Sequence, residues 1–335
     1  MKKDVVAIDT GYGFVKIVVD YDVHKEIFTE ILFPSQSAYT FSEKTGQTEI
    51  DQTDVVTVKI GNQMYIAGPD IALHQRANHI QVLTHDYVHS KQYLTLNMAA
   101  LAYSGATEIQ YLVVGLPVDL LDAKKEFLIH LLKGKHQINS ELSVTVKNVI
   151  PLAQPLGGLV YARQTNAINF RNDQEYLIID PGYYTLDWFV LQGTKRNKQL
   201  SGHYPGGMSL VLEGIAKAIS HEHAMDYRDF DAIDKGLRTK QFYINNKPAN
   251  LSKYLNLALP YLEEPIQAML NKIGSTQNFD SIIIVGGGGE IFTKILKAYF
   301  PSKKMPHINQ SIFANARGFY LLGQQFNQTK GVKAS

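Results

Sequence analysis

Two stretches of this chain place carboxylates, glycines, a lysine and a threonine at matching spacing. Residues 7–19 read AIDTGYGFVKIVV and residues 178–190 read IIDPGYYTLDWFV. Both run Ile-Asp-x-Gly-Tyr and return into β-rich residues, a weak internal repeat of the kind a duplicated domain leaves. The chemistry this suits is phosphate binding. Gly11 and Gly182 let backbone N–H groups at a tight turn approach anionic oxygens and form a nest. A carboxylate at the strand end would repel phosphate unless a divalent cation lies between them. Magnesium is held in that way, through waters, by one or two carboxylates and by phosphate oxygens. Asp9 and Asp180 are therefore candidates for magnesium, and Lys16 and Thr185 for phosphate. A lone Asp-x-Gly is more often an ordinary hairpin turn. Two copies with matching flanks, one followed by Lys16 and the other by Thr185 and Asp187, bring the chemical reading level with the structural one.

A third turn tips the balance. Residues 282–292, IIIVGGGGEIF, read as a buried strand, four glycines and a helix start. A glycine-rich strand-to-helix turn favours phosphate or the face of a nucleoside, because the backbone can come close and the helix N-terminus is positive. It is not Gly-x-Gly-x-x-Gly, and no Gly-Lys-Ser or Gly-Lys-Thr follows, so the Rossmann and P-loop readings fail.

The elements that must position these residues alternate along the chain. Residues 4–9 and 14–19 read as a hairpin, followed by β-like runs at 27–33, 54–59 and 63–67. Residues 91–105 have helical spacing and end on Gly105. A strand is expected over 109–117, an amphipathic helix over 122–134 and a strand over 142–150. PLAQPLGGLVYARQTNA then turns into a helix. After the second repeat come helices over 206–220 and 250–274, the latter interrupted by Pro260 and Pro265. The strand, turn and helix of 279–300 follow, then a final helix over 313–326. Strands and helices alternating through glycine turns argue for an α/β architecture.

The 335 residues make two domains the natural expectation. A net charge of +2 gives no case for direct nucleic-acid binding, and KRNK at 195–198 reads as a solvated loop. The absence of cysteine excludes disulfides, thiol catalysis and cysteine-ligated zinc, and fits a reducing compartment. Asp4 and Asp9 interrupt the N-terminal apolar run, which therefore does not read as a signal peptide. No run approaches a membrane span, so a cytoplasmic location without membrane attachment is expected. His74, His79, His85 and His89 fall close together but lack an H-E-x-x-H frame, and read as surface and turn histidines.

Asp-x-Gly-x-x-x-x-Lys near the N-terminus, Asp-x-Gly-x-x-Thr-x-Asp in mid-chain and a later glycine turn together resemble the actin, heat-shock-chaperone and sugar-kinase ATPase superfamily. The resemblance implies two related α/β domains around a nucleotide cleft, with ATP or ADP and Mg2+ as ligands. Phosphate loop 1 would comprise Asp9, Thr10, Gly11, Tyr12, Gly13 and Lys16. Phosphate loop 2 would comprise Asp180, Gly182, Tyr183, Tyr184, Thr185 and Asp187. The adenosine loop would be Gly286, Gly287, Gly288 and Gly289, with Lys235 or Arg238 of DKGLRTK as possible base contacts or merely a solvated helix end. YLVVGLPVD (111–119) resembles the first connecting segment, and FANARGFYLLG (313–323) the C-terminal connecting helix. The wording of these segments is most similar to the plasmid-segregation actins of the ParM or StbA group and to archaeal actin-like proteins. Domain I would hold residues 1–153 and 312–335, and domain II residues 154–311.

Members of the superfamily place a Gln or Glu before a small-residue helix start, where it orients the attacking water. Gln154 stands there, and would partner Asp180 through a water; the alternative is that it caps the helix. Pro181 and Tyr183 depart from the smaller residues usual in phosphate loop 2, and Tyr12 is bulky in loop 1. The function implied is an ATPase that polymerises into filaments and moves DNA through a DNA-binding adaptor protein. A non-polymerising nucleotide switch and a small-molecule kinase are the alternatives on the same fold. No convincing Asp base favours the kinase.

Overall fold

Strand β1 (Lys2–Thr10) shows why the chain opens on an almost unbroken apolar run. Val6 and Ile8 enter one hydrophobic cluster, and Val5 and Ala7 another. A strand buried on both faces loses the alternation of a half-exposed one. The computed structural model describes residues 1–41, 53–74, 86–274 and 279–331. The chain divides into two units, one formed by residues 1–169 with the segment returning from His307, the other by residues 170–306.

In the first unit, β1 turns into β2 (Phe14–Asp22) and β2 into β3 (Ile27–Pro34), both antiparallel. Strands β4 (Ala38–Thr40), β5 (Val56–Ile60) and β6 (Gln63–Ala67) form a separate small sheet in the order β4-β6-β5. Helix α1 (Lys91–Tyr103) starts where the Ser90 side chain accepts from Tyr93 N at 3.0 Å, and it ends before Gly105 at φ +66°. Then come β7 (Glu108–Leu116), α2 (Val118–Leu132), β8 (Gly134–Gln137), β9 (Ser143–Ala153) and α3 (Gln154–Gln164). The main sheet has the order β3-β2-β1-β7-β9-β8, with β1, β7 and β9 parallel.

The second unit repeats half of that topology. Strands β10 (Glu175–Pro181), β11 (Thr185–Gln192) and β12 (Lys195–Pro205) form an antiparallel meander. Helices α4 (Met208–His223) and α5 (Phe230–Thr239), the short pair β13 (Tyr243–Ile244) and β14 (Lys247–Pro248), and helices α6 (Leu251–Ala258) and α7 (Glu263–Ile273) follow. Strand β15 (Phe279–Ile284) then pairs parallel with β10, as β7 does with β1. Helix α8 (Gly289–Tyr299) closes the unit. KRNK, read from sequence as a loop, is the start of β12, where the Arg196 guanidinium lies 4.8 Å from the Phe189 ring centre. Among the described residues no helix is long and apolar enough to cross a membrane.

Helix α9 (Ala314–Gly331) returns to the first unit and covers the Val5, Ala7 and Val113 face with Ala316, Phe319 and Tyr320. It crosses α3 at bare backbone: a Cβ on Gly318 would lie 1.8 Å from Gly157 O, and Gly158 N donates to Asn315 Oδ1 at 3.0 Å. This contact ties α3 to the first unit, so the expected boundary between residues 153 and 154 falls inside it; residues 307–311 likewise belong there. Arg317, only 5% exposed, forms a bidentate ion pair with Glu30 of β3 at 2.5 and 2.8 Å. Its other nitrogen donates to the Tyr161 hydroxyl at 2.7 Å and to Asn309 O at 3.1 Å, and the guanidinium also reaches Gln310.

Candidate functional site

The first turn is built by register. Asp9 and Lys16 face each other across the β1–β2 hairpin, and Lys16 Nζ lies 3.1 Å from Asp9 Oδ2. The Asp9 side chain is 3% exposed and that of Lys16 13%. An ion pair this far from water must be well satisfied to persist, and Asp9 has a second partner: Gln154 Nε2 donates to its Oδ1 at 2.6 Å. Gln154 is the first residue of α3, whose N-cap is Ala153 with no side-chain capping bond. Gln154 therefore does not cap the helix. Its direct partner is Asp9.

The loop between the strands is braced from behind. Ser35 Oγ donates to Gly11 O at 2.6 Å, Ser35 N donates to Gly13 O at 2.9 Å, and Gln92 Nε2 donates to Ser35 O at 2.7 Å. Thr10 Oγ1 donates to Asn97 Oδ1 at 3.2 Å, and Asn97 Nδ2 to Tyr93 O at 2.8 Å. Tyr12 turns back onto Tyr87, ring centres 4.7 Å apart, and packs on the core of its own unit. Gly11 N donates to Phe14 O at 3.2 Å, so the loop's shape is fixed both by its own turn and by the surrounding elements.

The second turn has the same register, with Asp180 opposite Asp187 across β10 and β11. Lys16 and Asp187 thus occupy equivalent places, and the two hairpins differ there by a full reversal of charge. Gly182 N donates to Thr185 O at 2.9 Å, and Thr185 Oγ1 to Asp187 Oδ2 at 2.6 Å. The Thr185 proton is directed at Asp187, which leaves the hydroxyl oxygen as an acceptor. Two further segments lock the turn. Met208 N and Ser209 N, at the start of α4, donate to Gly182 O and Tyr183 O at 2.9 and 2.7 Å. Gly288 N donates to Pro181 O at 3.1 Å. Pro181, which lacks an N–H to offer phosphate, is buried and serves as the junction of these pieces. Tyr183 and Tyr184 meet edge to face at 4.6 Å; Tyr183 packs on the unit's core, and burial pushes its phenol up.

The glycine turn comes to Asp180. A Cβ on Gly286, at φ +78°, would lie 2.1 Å from Asp180 Oδ1, so only glycine admits the carboxylate here. Gly286 to Gly289 thus connect β15 to α8 beside the second turn. Lys240, which follows α5, has its Nζ 3.8 Å from Glu290 Oε1 in the first turn of α8, an exposed ion pair of little weight. On α5, Lys235 is exposed, and Arg238 Nε donates to Asp234 Oδ2 at 2.9 Å. Burial raises the Asp234 carboxyl, against the pull of Arg238.

The first unit thus gathers Asp9, Thr10, Gly11, Tyr12, Gly13, Lys16 and Gln154. The second gathers Asp180, Gly182 to Thr185, Asp187 and the four glycines, with Lys235 and Arg238 on the neighbouring helix. Sequence reasoning missed Gly115, where a Cβ would lie 3.0 Å from Asp9 Oδ1 and 3.0 Å from Gln154 Cγ. An isolated glycine inside an apolar strand was its signal. It also missed Ser35, which nothing in the local sequence marks. Of the four clustered histidines, His79 and His85 lie outside the described residues. His74 Nε2 meets Thr53 Oγ1 at 2.9 Å, and the His89 ring stacks on Phe127 at 4.0 Å.

Comparison with known proteins identifies the fold and the family. A model of the N-terminal domain of actin-like proteins matches residues 7–157, and a model of the C-terminal domain of archaeal MreB-like actin homologues matches residues 178–298. No curated protein sequence matches the chain significantly. The archaeal actin homologue Ta0583, solved in complex with ADP, superimposes with a TM-score of 0.78 at 20% identity, covering 96% of this chain and 99% of that one. ParM from a 15-stranded filament of Clostridium botulinum gives a TM-score of 0.74 at 21% identity, covering 97% and 100%. The actin-like protein Alp7A gives 0.76 at 16% identity, covering 100% of both chains. At such identities the likeness is one of fold.

Proposed function

Because this chain belongs to the actin-like superfamily, we propose that it is a ParM-like ATPase that assembles into nucleotide-dependent filaments. In this reading it segregates DNA indirectly, through a DNA-binding adaptor protein. The observation that carries the catalytic part is the buried Asp9 carboxylate, bonded to the half-buried Lys16 and Gln154 beside a glycine turn. Solved relatives described as filaments or bound to ADP support the rest.

In this reading the backbone of residues 10–13 and of 182–185 holds phosphate oxygens, and Lys16 offsets their charge. Gly286 to Gly289 receive the adenosine. The donor set suits magnesium: Asp9 and Asp180 are hard oxygen ligands that would hold the ion through water, where it would neutralise phosphate charge. Among the described residues no three His, Asp or Glu side chains gather as a dedicated metal cage. A water-mediated ion shared with phosphates needs none. Gln154 presents an amide, which holds water by hydrogen bonds but is a poor base. Catalysis then rests on position rather than proton abstraction, which suits slow, regulated turnover.

The test is high-speed pelleting of the purified protein with magnesium and ATP, with ADP, or without nucleotide, while phosphate release is followed. Pelleting that requires ATP and reverses as phosphate is released is expected. Phosphate release with no pelleting at any protein concentration would overturn the filament reading in favour of a non-polymerising switch. A lack of turnover would overturn the ATPase reading and bring back the small-molecule kinase.

A further inference from the structure

We propose that Gly115 is a positioning residue for nucleotide hydrolysis, acting by having no side chain where Asp9 and Gln154 meet. The inference rests on the reading above that Gln154 orients the attacking water, and it adds how that orientation is fixed.

Gly115 lies near the end of β7, paired with Leu152 of β9 and one residue past the Ile8–Val114 pairing with β1. Its backbone is held by the sheet and cannot withdraw. A Cβ there would lie 2.8 Å from Phe319 Cε2 as well as 3.0 Å from both Asp9 Oδ1 and Gln154 Cγ. Phe319 is fully buried on the other side, so the space is closed by a ring, a carboxylate and an amide stem.

The Asp9 carboxylate is held at both oxygens, by Lys16 and by Gln154. A carboxylate only accepts hydrogen bonds, so the Gln154 amide must turn its NH2 toward Asp9. Its carbonyl oxygen then faces away as a fixed acceptor. That oxygen can take one proton of a water and leave the water's lone pairs free to attack. Asp9 is pinned on its other side by Lys16, so a methyl at 115 would displace Gln154, break its bond to Asp9 and release the amide to rotate. Misplacement by about 1 Å can cost on the order of a hundredfold in rate without loss of binding.

The experiment compares the full chain with Gly115→Ala, Gln154→Ala, the double variant of these two, and Gly115→Ala combined with Phe319→Leu. ATP affinity, single-turnover phosphate release and thermal unfolding are measured for each. Gly115→Ala should slow phosphate release by roughly ten- to a hundredfold while ATP affinity stays within about threefold. Adding it to Gln154→Ala should cause no further loss, because both act through one amide. Phe319→Leu should recover stability lost to the ring clash but not the rate, and it carries the test if the single variant does not fold. Wild-type turnover in Gly115→Ala, a loss additive with that of Gln154→Ala, or recovery of rate together with stability would each overturn the proposal. Wild-type turnover in Gln154→Ala would instead overturn the role given to Gln154, and this inference with it.

Discussion

At the residue scale, one carboxylate ties together the first unit's candidate site. Asp9 meets Lys16 through one oxygen and Gln154 through the other. Gln154→Ala should leave ATP binding intact and slow phosphate release by roughly ten- to a hundredfold. Filaments of this variant should outlast wild-type ones in a pelleting time course; equal lifetimes would count against the assignment. Asp180→Ala should abolish turnover while its circular dichroism spectrum and unfolding midpoint stay near wild type, and unchanged phosphate release would sink its role. The placing of Asp9, Lys16, Asp180 and Thr185 around two hairpin turns was legible because the two hairpins repeat one pattern. What was not legible is which partner each side chain takes. Gln154 bonds directly to Asp9, and Thr185 gives its proton to Asp187, because residues 145 apart and two apart come together only once the sheet is formed. Tyr12 and Tyr183 look available in sequence, yet each packs on the core of its own unit.

At the scale of elements, the buried strands were readable as apolar runs and the main helices from their spacing. The misses are the polar ones. Strand β12 carries KRNKQLSGHYP, with few apolar residues to mark a face, and lies at the edge of its sheet. Strands β8, β13 and β14 are too short to show a period. Helix packing shows the same limit: nothing local says that Gly318 must touch Gly157. Gly318→Ala should destabilise the first unit by about 1–3 kcal/mol or more, since the neighbour is backbone and cannot yield. Denaturant unfolding would measure it, and a wild-type midpoint would refute the crossing. On α5, burial raises the Asp234 carboxyl above its ordinary value. An acid raised by folding makes its stabilising contribution below its unfolded pKa and loses it as pH rises through the folded one. Asp234→Asn should therefore unfold at a higher temperature than wild type at neutral pH, with the gap closing as pH falls through the ordinary aspartate range. An unchanging gap would assign the effect to something other than titration.

At the scale of the whole molecule, the chain leaves its first unit after residue 169 and re-enters at His307. Arg317 fastens the returning segment to β3 through Glu30 and to α3 through Tyr161. Arg317→Ala would leave the Glu30 carboxylate almost buried with its ion-pair partner removed, and should cost about 3–5 kcal/mol. Arg317→Lys should recover only part of that, because an ammonium cannot reproduce the fork. Unfolding curves of the two variants would separate charge from geometry; identical losses would show that only the fork matters. The two-unit plan was visible in the repeated motif, but this clasp was not, since an arginine in FANARGFYLLG shows its burial only when its partners are known.

The return of α9 also has a consequence during synthesis. The sheet face formed by Val5, Ala7 and Val113 is made early, but the Ala316, Phe319 and Tyr320 that cover it emerge only after all of the second unit. At the usual pace of translation that interval is on the order of ten seconds. The unit begun first is therefore completed last. Until α9 arrives, the nascent chain carries an open apolar face that a chaperone could shield, and that a neighbouring nascent chain on the same message could misrecognise.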